Sequence, residues 1–243
     1  MRRIAAVLVG AGLVVSGTAG RVEAGTVSLA PGRDATLIES TDGSLADGQG
    51  PHFRTGRTGQ GSFSIRRGLI AFDVTGAVPQ GARILGVTLI LHMSGQNDNP
   101  DLVHLHRVLE DWGEGGALSP GGTGVPATPG DSTWLHRFHN PASPPDSPAW
   151  TEPGGAFVRE ESAATTVGEQ GYYSWSSDRM AQDVRAWLHQ PSTNRGWIVI
   201  ADESTGGSVK RFDSVENDDL TVRPLLIVEF HTPGPGSSPN TNP

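Results

Sequence analysis

Apolar residues recur at every second position through "RILGVTLILHM", where Leu85, Val87, Leu89, Leu91 and Met93 share one face. That period of two predicts a half-buried strand. Upstream, "SIRRGLIAFDV" is apolar on both faces at Leu69, Ile70, Ala71 and Phe72 and charged towards its ends, the pattern of a central strand covered on both sides. "GTVSLAPGRDATLIES" reads as a strand, a Pro-Gly turn and a second strand, followed by a polar, Gly-rich loop from Thr41 to Gly61. "QNDNPD" breaks the chain after the alternating strand, and "LVHLHRVL" is expected to run back as its hairpin partner. Between Gly113 and Ser147 loops dominate around one expected strand, "STWLHRF". "GYYSWSS", "GWIVIAD", "SVKRFDS" and "PLLIVEFH" read as further strands. One segment changes period: "SDRMAQDVRAWLHQP" sets Met180, Val184, Trp187 and Leu188 at helical spacing. Ser177 is placed to cap that helix, Asp178 suits its first turn and Pro191 stops it.

About ten strands and a single helix predict an all-β domain. Alternation on some strands and double-sided burial on others fits two stacked sheets, so the expected architecture is an antiparallel two-sheet β-sandwich of jelly-roll type with one short α-helix. The ends read differently from the middle. Met1-Arg2-Arg3 is a basic start, Ile4 to Val15 an apolar run, and Val22-Glu23-Ala24 a small-x-small site, so residues 1–24 are expected to be a signal peptide cleaved after Ala24. The product is then secreted, to the extracellular space or the cell envelope. The apolar run is about a dozen residues, short of the roughly 18 to 20 a span needs, so no membrane span is expected. One domain is expected over 25–231, and "TPGPGSSPNTNP" over 232–243 reads as a disordered tail.

Composition narrows the partners. There are 0 Cys, so stability has to come from the core and any metal must use O or N ligands. Removing residues 1–24 takes away Arg2, Arg3, Arg21 and Glu23, three positive charges and one negative, which moves the net charge from −8 to −10. Such a field makes nucleic acid and anionic membranes poor partners.

The chemistry-bearing residues each admit a framework reading. In "LHRVLEDWGEGG", Glu110 and Asp111 point to opposite sides of a strand and make a poor acid/base pair, whereas Asp111 with Glu114 suits a glycosidase-like dyad. Without one, they are solvated strand-end charge. His104 and His106 share a strand face near His136 and His139, a combination that suits Zn or Cu, or ordinary pairing with carboxylates. "QNDNPD" with Asp98 and Asp101, and "VENDDL" with Asp218 and Asp219, offer oxygen clusters for a structural calcium; neither has EF-hand spacing, and turn chemistry explains both without metal. Among six Trp, Trp112 and Trp134 lie at strand ends or in loops, where an indole either packs or stacks on a sugar. No nucleophile elbow and no phosphate loop in strand-to-helix context is present in the sequence.

In order along the chain, "RRGLIAFD", "VPQGARILGVTLILHMS", "LHRVLEDWGEG", "WSSDRMAQDVRAWLHQPSTNRGWIVIADE", "KRFDSVEN" and "RPLLIVEF" resemble the DNRLRE domain. This is the disaggregatase-related module of exported bacterial and archaeal proteins, similar to a carbohydrate-binding module family of polysaccharide lyases. The resemblance runs from about Val27 to His231. It implies a β-sandwich that is not itself catalytic, with polysaccharide binding known for some relatives. One departure is Val215, where an Arg is typical, so Glu216 needs another partner, Arg67 or Arg223. Arg66, Arg67, Asp73, Arg211, Asp213, Glu216 and Arg223 sit at strand ends and are expected to form a structural ion-pair network. The leading expectation is a secreted, non-catalytic protein that binds extracellular polysaccharide through Trp112, Trp134, Arg54 and Arg57, with no cofactor beyond a candidate structural calcium. A structural envelope protein with protein partners is the alternative, and a hydrolase or lyase using Asp111 and Glu114 is the third reading.

Overall fold

The computed structural model describes residues 23–95 and 97–232. The expected leader and tail lie outside these residues, apart from Glu23, Ala24 and Thr232, which are paired in strands. In chain order the strands are β1 Glu23–Leu29, β2 Arg33–Ile38, β3 Leu45–Ala46, β4 His52–Arg57, β5 Ile65–Ala71, β6 Arg83–Gly95, β7 Asp101–Arg107, β8 Val125–Pro126, β9 Ala163–Val167, β10 Gly171–Ser176, β11 Trp197–Ile200, β12 Lys210–Asp213 and β13 Leu225–Thr232. A four-residue helix, α1 (Val74–Ala77), follows β5, and α2 (Asp178–His189) follows β10.

The protein is all-β in architecture. Eleven strands form one curled antiparallel sheet with the order β1-β13-β6-β12-β4-β5-β11-β7-β9, to which β10 adds against β6 and β2 against β5; β3 and β8 make a second, small sheet. β4 turns the corner. Its residues His52 to Thr55 pair with Asp213 to Lys210 of β12, while Gly56 and Arg57 pair with β5, and the change of partner falls at Gly56, with φ +105°.

The main core lies inside the curl. Val87, Leu89, Leu91 and Met93 of β6 meet Val103 and Leu105 of β7, Trp175 of β10, Trp197 of β11 and Phe212 of β12. Helix α2 covers one end of it with Met180, Val184 and Trp187, and the Ser177 hydroxyl caps it by accepting from the Met180 N–H, as the sequence predicts. A second core forms on the other face of β2, β5 and β11. There Leu37, Leu69 and Ile198 are roofed by Trp112, Trp134 and Trp150 from the long segment between β7 and β9. The two cores explain why β5 is apolar on both faces, as expected.

Several sequence expectations are corrected. Leu85 is 45% exposed while Ile84 is buried, because the β6–β13 register shifts between Glu229 and Phe230 and the extra residue inverts the alternation below Gly86. β7 is not the hairpin partner of β6. Both edges of β6 are taken, by β13 and β12 on one side and β10 on the other, so β7 pairs with β11 and β9. β1 and β2 do not pair either; the Pro31–Gly32 turn passes the chain from β13 to β5. The loop expected over 41–61 contains β4, whose Arg54 and Thr55 are buried polar residues that hide its strand pattern. "STWLHRF" forms no strand and contributes only an isolated bridge, His136 to Ala149. β9 went unforeseen because "AATTV" is short and weakly apolar.

Candidate functional site

The four side chains expected to face a ligand belong to the framework. Trp112 is fully buried: its indole N–H donates to the Arg195 carbonyl at 2.9 Å and the Arg33 guanidinium stacks on its ring at 4.3 Å. Trp134 is buried in the second core beneath Arg67, whose guanidinium carbon is 5.0 Å from the ring centroid. Neither indole has a face to offer a sugar. Arg54 is 3% exposed, 3.6 Å from Asp47, and donates to the Pro120 carbonyl at 3.1 Å. Arg57 is half-buried and donates to Ser64 Oγ and the Glu203 carbonyl. All four hold long-range loops against the sheet.

The expected single ion-pair network is divided into separate contacts. Arg67 makes a bidentate pair with Glu203, at 2.7 and 3.0 Å. Arg66 is buried and donates to three backbone carbonyls, those of Phe63, Ile65 and Gly122. Asp73 caps α1 by accepting from the Gly76 N–H, and Arg211 donates to Ser94. Arg223 donates to the Asn217 carbonyl, and Glu216 keeps one buried carboxylate oxygen without a hydrogen-bond partner among the described residues.

Asp111 and Glu114 also turn inward. Asp111 pairs with Arg33 at 2.9 Å and Arg195 at 3.3 Å; burial pushes its carboxyl up, but these guanidiniums hold it below the usual range. Glu114 accepts from the Asp34 N–H at 2.8 Å, and burial raises its pKa to about 7, with the charge of Glu216 adding to the effect. Asp34 itself is pushed well above the usual range by burial, then by Glu216. Asp47 is raised to about 6 by burial, opposed by the Ser119 N–H and Arg54. Asp111, through Arg33, and Glu114, through the Asp34 N–H, tie the 109–116 segment to β2.

The histidine pairs stay apart in their roles. His104 contacts Glu161 at 2.6 Å, and His106 Nδ1 contacts the Val158 carbonyl at 3.0 Å. The His136 and His139 rings lie 5.4 Å apart, tilted by 46°. Among the described residues no group of three or more His, Asp and Glu is placed to hold a metal. Of the calcium candidates, Asp101 faces the Lys210 ammonium at 3.6 Å and Asp98 is exposed. Asp219 accepts from Thr221 within its own turn, and Asp218 is exposed beside it.

What the sequence does not display is a row of side chains across the outer face of the curled sheet. His52 on β4 is the register partner of Asp213 on β12, and Tyr172 on β10 is the partner of His92 on β6. Asp213 bridges the two imidazoles, 3.2 Å from His52 Nε2 and 2.6 Å from His92 Nδ1, and also accepts from Asn217 Nδ2 at 2.7 Å. Burial pushes Asp213 up, but the bonds from His52 and His92 outweigh it and keep the carboxylate charged. Facing this charged carboxylate, His92 directs a protonated Nδ1 at Asp213. The Tyr172 ring lies 4.6 Å from the His92 ring, its hydroxyl donates to the Thr221 carbonyl at 2.9 Å, and it is 57% exposed. Ser174 beside it is exposed, and Ile90, Ser94 and Arg211 are half-buried around it.

Each member reaches this face by strand alternation, since Phe53, Leu91, Met93, Tyr173 and Phe212 point the other way into the main core. The sequence carries a faint signal: His92 and Ser94 are the polar phase of β6, and Tyr172 and Ser174 the outward phase of β10. Their alignment depends on pairings between distant strands. No known family model matches the chain, and no curated protein matches it.

Proposed function

We propose that the chain is a secreted, non-catalytic protein that binds polysaccharide on the outer sheet face, and that its curled sheet is a two-sheet β-sandwich of jelly-roll type related to the DNRLRE domain. The observation that carries this reading is Tyr172. An exposed aromatic ring, braced by its own hydroxyl and by His92, presents flat apolar area beside fixed hydrogen-bonding groups. A pyranose combines an apolar ring face with a rim of hydroxyls, and the row matches both. His92, Arg211 and Ser174 supply polar contacts to those hydroxyls, and the Asp213 bridge locks the imidazoles so that little side-chain entropy is lost on binding.

Affinity gel electrophoresis of the exported chain against a panel of neutral and acidic polysaccharides tests the proposal. Retention by at least one polymer, lost in Tyr172→Ala at unchanged melting temperature, is the expected result. No retention by any polymer overturns the reading and favours the envelope protein with protein partners. Loss of polymer viscosity, abolished by Glu114→Gln, overturns the non-catalytic assignment.

A further inference from the structure

The chain has 17 arginines and a single lysine, Lys210. That one ammonium is fully buried. It donates to the Asn97 carbonyl at 2.8 Å and to the Asn99 carbonyl, and lies 3.6 Å from the Asp101 carboxylate. The turn that supplies these oxygens is itself built, with the Asn99 N–H donating to Asn97 Oδ1 at 2.7 Å and Asn97 Nδ2 donating to the Gly207 carbonyl. Two carbonyls and a carboxylate converging on one point, with Asp98 close enough to add its charge, make the environment of a hard cation. An ammonium directs three N–H donors from one point, here to two carbonyls with the carboxylate beyond, whereas a guanidinium is too wide and planar for such a point, which accounts for lysine here in a chain otherwise furnished with arginine.

We infer that the 97–101 turn is a cation site whose cation is supplied by the chain, the Lys210 ammonium, and that it accepts Ca²⁺ from solution once that ammonium is removed. The Asn97 and Asn99 carbonyls already stand at hydrogen-bonding distance from Nζ, close to the about 2.3–2.6 Å of calcium ligands, and the Asp101 carboxylate, at 3.6 Å, has to close in by about 1 Å. With one carboxylate in direct reach and water completing the shell, affinity belongs at the weak end of calcium sites, about 10⁻⁴–10⁻³ M. The wild-type protein therefore needs no calcium to order this turn.

The test compares thermal melting of the wild type, Lys210→Ala, and the double variant Lys210→Ala with Asp101→Asn, in EDTA and across a CaCl₂ titration into the millimolar range. Alanine removes the ammonium, its hydrogen bonds and its stem, and leaves their space to Ca²⁺ and its waters. The wild type is expected to melt at one temperature throughout. Lys210→Ala should melt several degrees lower in EDTA and recover part of the loss as calcium rises, and the double variant should lose most of that recovery. A wild type that is itself stabilised by calcium, a Lys210→Ala protein as stable as the wild type, or one that calcium does not stabilise would each overturn the inference. Should Lys210→Ala fail to fold in EDTA, refolding yield with and without CaCl₂ gives the same decision.

Discussion

Replacing Glu114 by Gln should stabilise the protein at alkaline pH and leave it almost unchanged in mild acid. The carboxyl moves from an ordinary value of 4.5 to about 7 on folding, chiefly through burial. Such a change corresponds to about 3 kcal/mol of ionisation cost in the folded state. The folded-state pKa lies above the unfolded one, so the favourable contribution of this group is complete below about 4.5, falls as the pH rises through about 7, and is gone above it. Gln keeps an oxygen to accept the Asp34 N–H and never ionises. Relaxation of the half-buried site reduces the full figure, and about 1–3 kcal/mol of gain at pH 8.5 is expected. Urea unfolding followed by tryptophan fluorescence at pH 5 and pH 8.5 measures it directly. A variant less stable than wild type at pH 8.5, or a difference that is the same at both pH values, would refute the account of Glu114 as a carboxyl strained by its own charge.

Trp112→Ala should cost about 3–5 kcal/mol, since it empties the second core and strands the Arg33 guanidinium; equilibrium unfolding reads the loss. Asp183 accepts from Ser162 Oγ at 2.6 Å and Trp197 Nε1 at 3.0 Å and faces the half-buried Arg107 at 3.4 Å, so Asp183→Ala, which leaves the buried Ser162 and Trp197 donors unpaired, is expected to cost about 3–5 kcal/mol in the same assay. Gly196 has φ +74° and a Cβ there would meet the Ile70 carbonyl; Gly196→Ala should lose about 1–3 kcal/mol from backbone strain alone, visible as a lower melting temperature. Asp213 has a depressed pKa, so its stabilising contribution is present above the ordinary carboxyl range and is lost as the pH falls through it; Asp213→Asn should flatten the acid limb of the stability profile.

Periodicity alone located the body of β6 from Val87 to Met93, the double burial of β5, and the face and cap of α2. Those features rest on relations between residues a few positions apart, which any copy of the chain carries whatever its partners. The composition likewise fixed the absence of disulfides. The tertiary structure decided the rest because it depends on which distant strand takes each edge. A one-residue register shift against β13 turned Leu85 outward, and occupation of both β6 edges sent β7 to β11. The loop tryptophans became a core because the outer face of β2, β5 and β11 needed a cover that only the 109–162 segment supplies. The candidate site was hidden for the same reason. His52, His92, Tyr172 and Asp213 come from four strands spread over more than half the chain, and only the order β4-β12-β6-β10 sets them side by side.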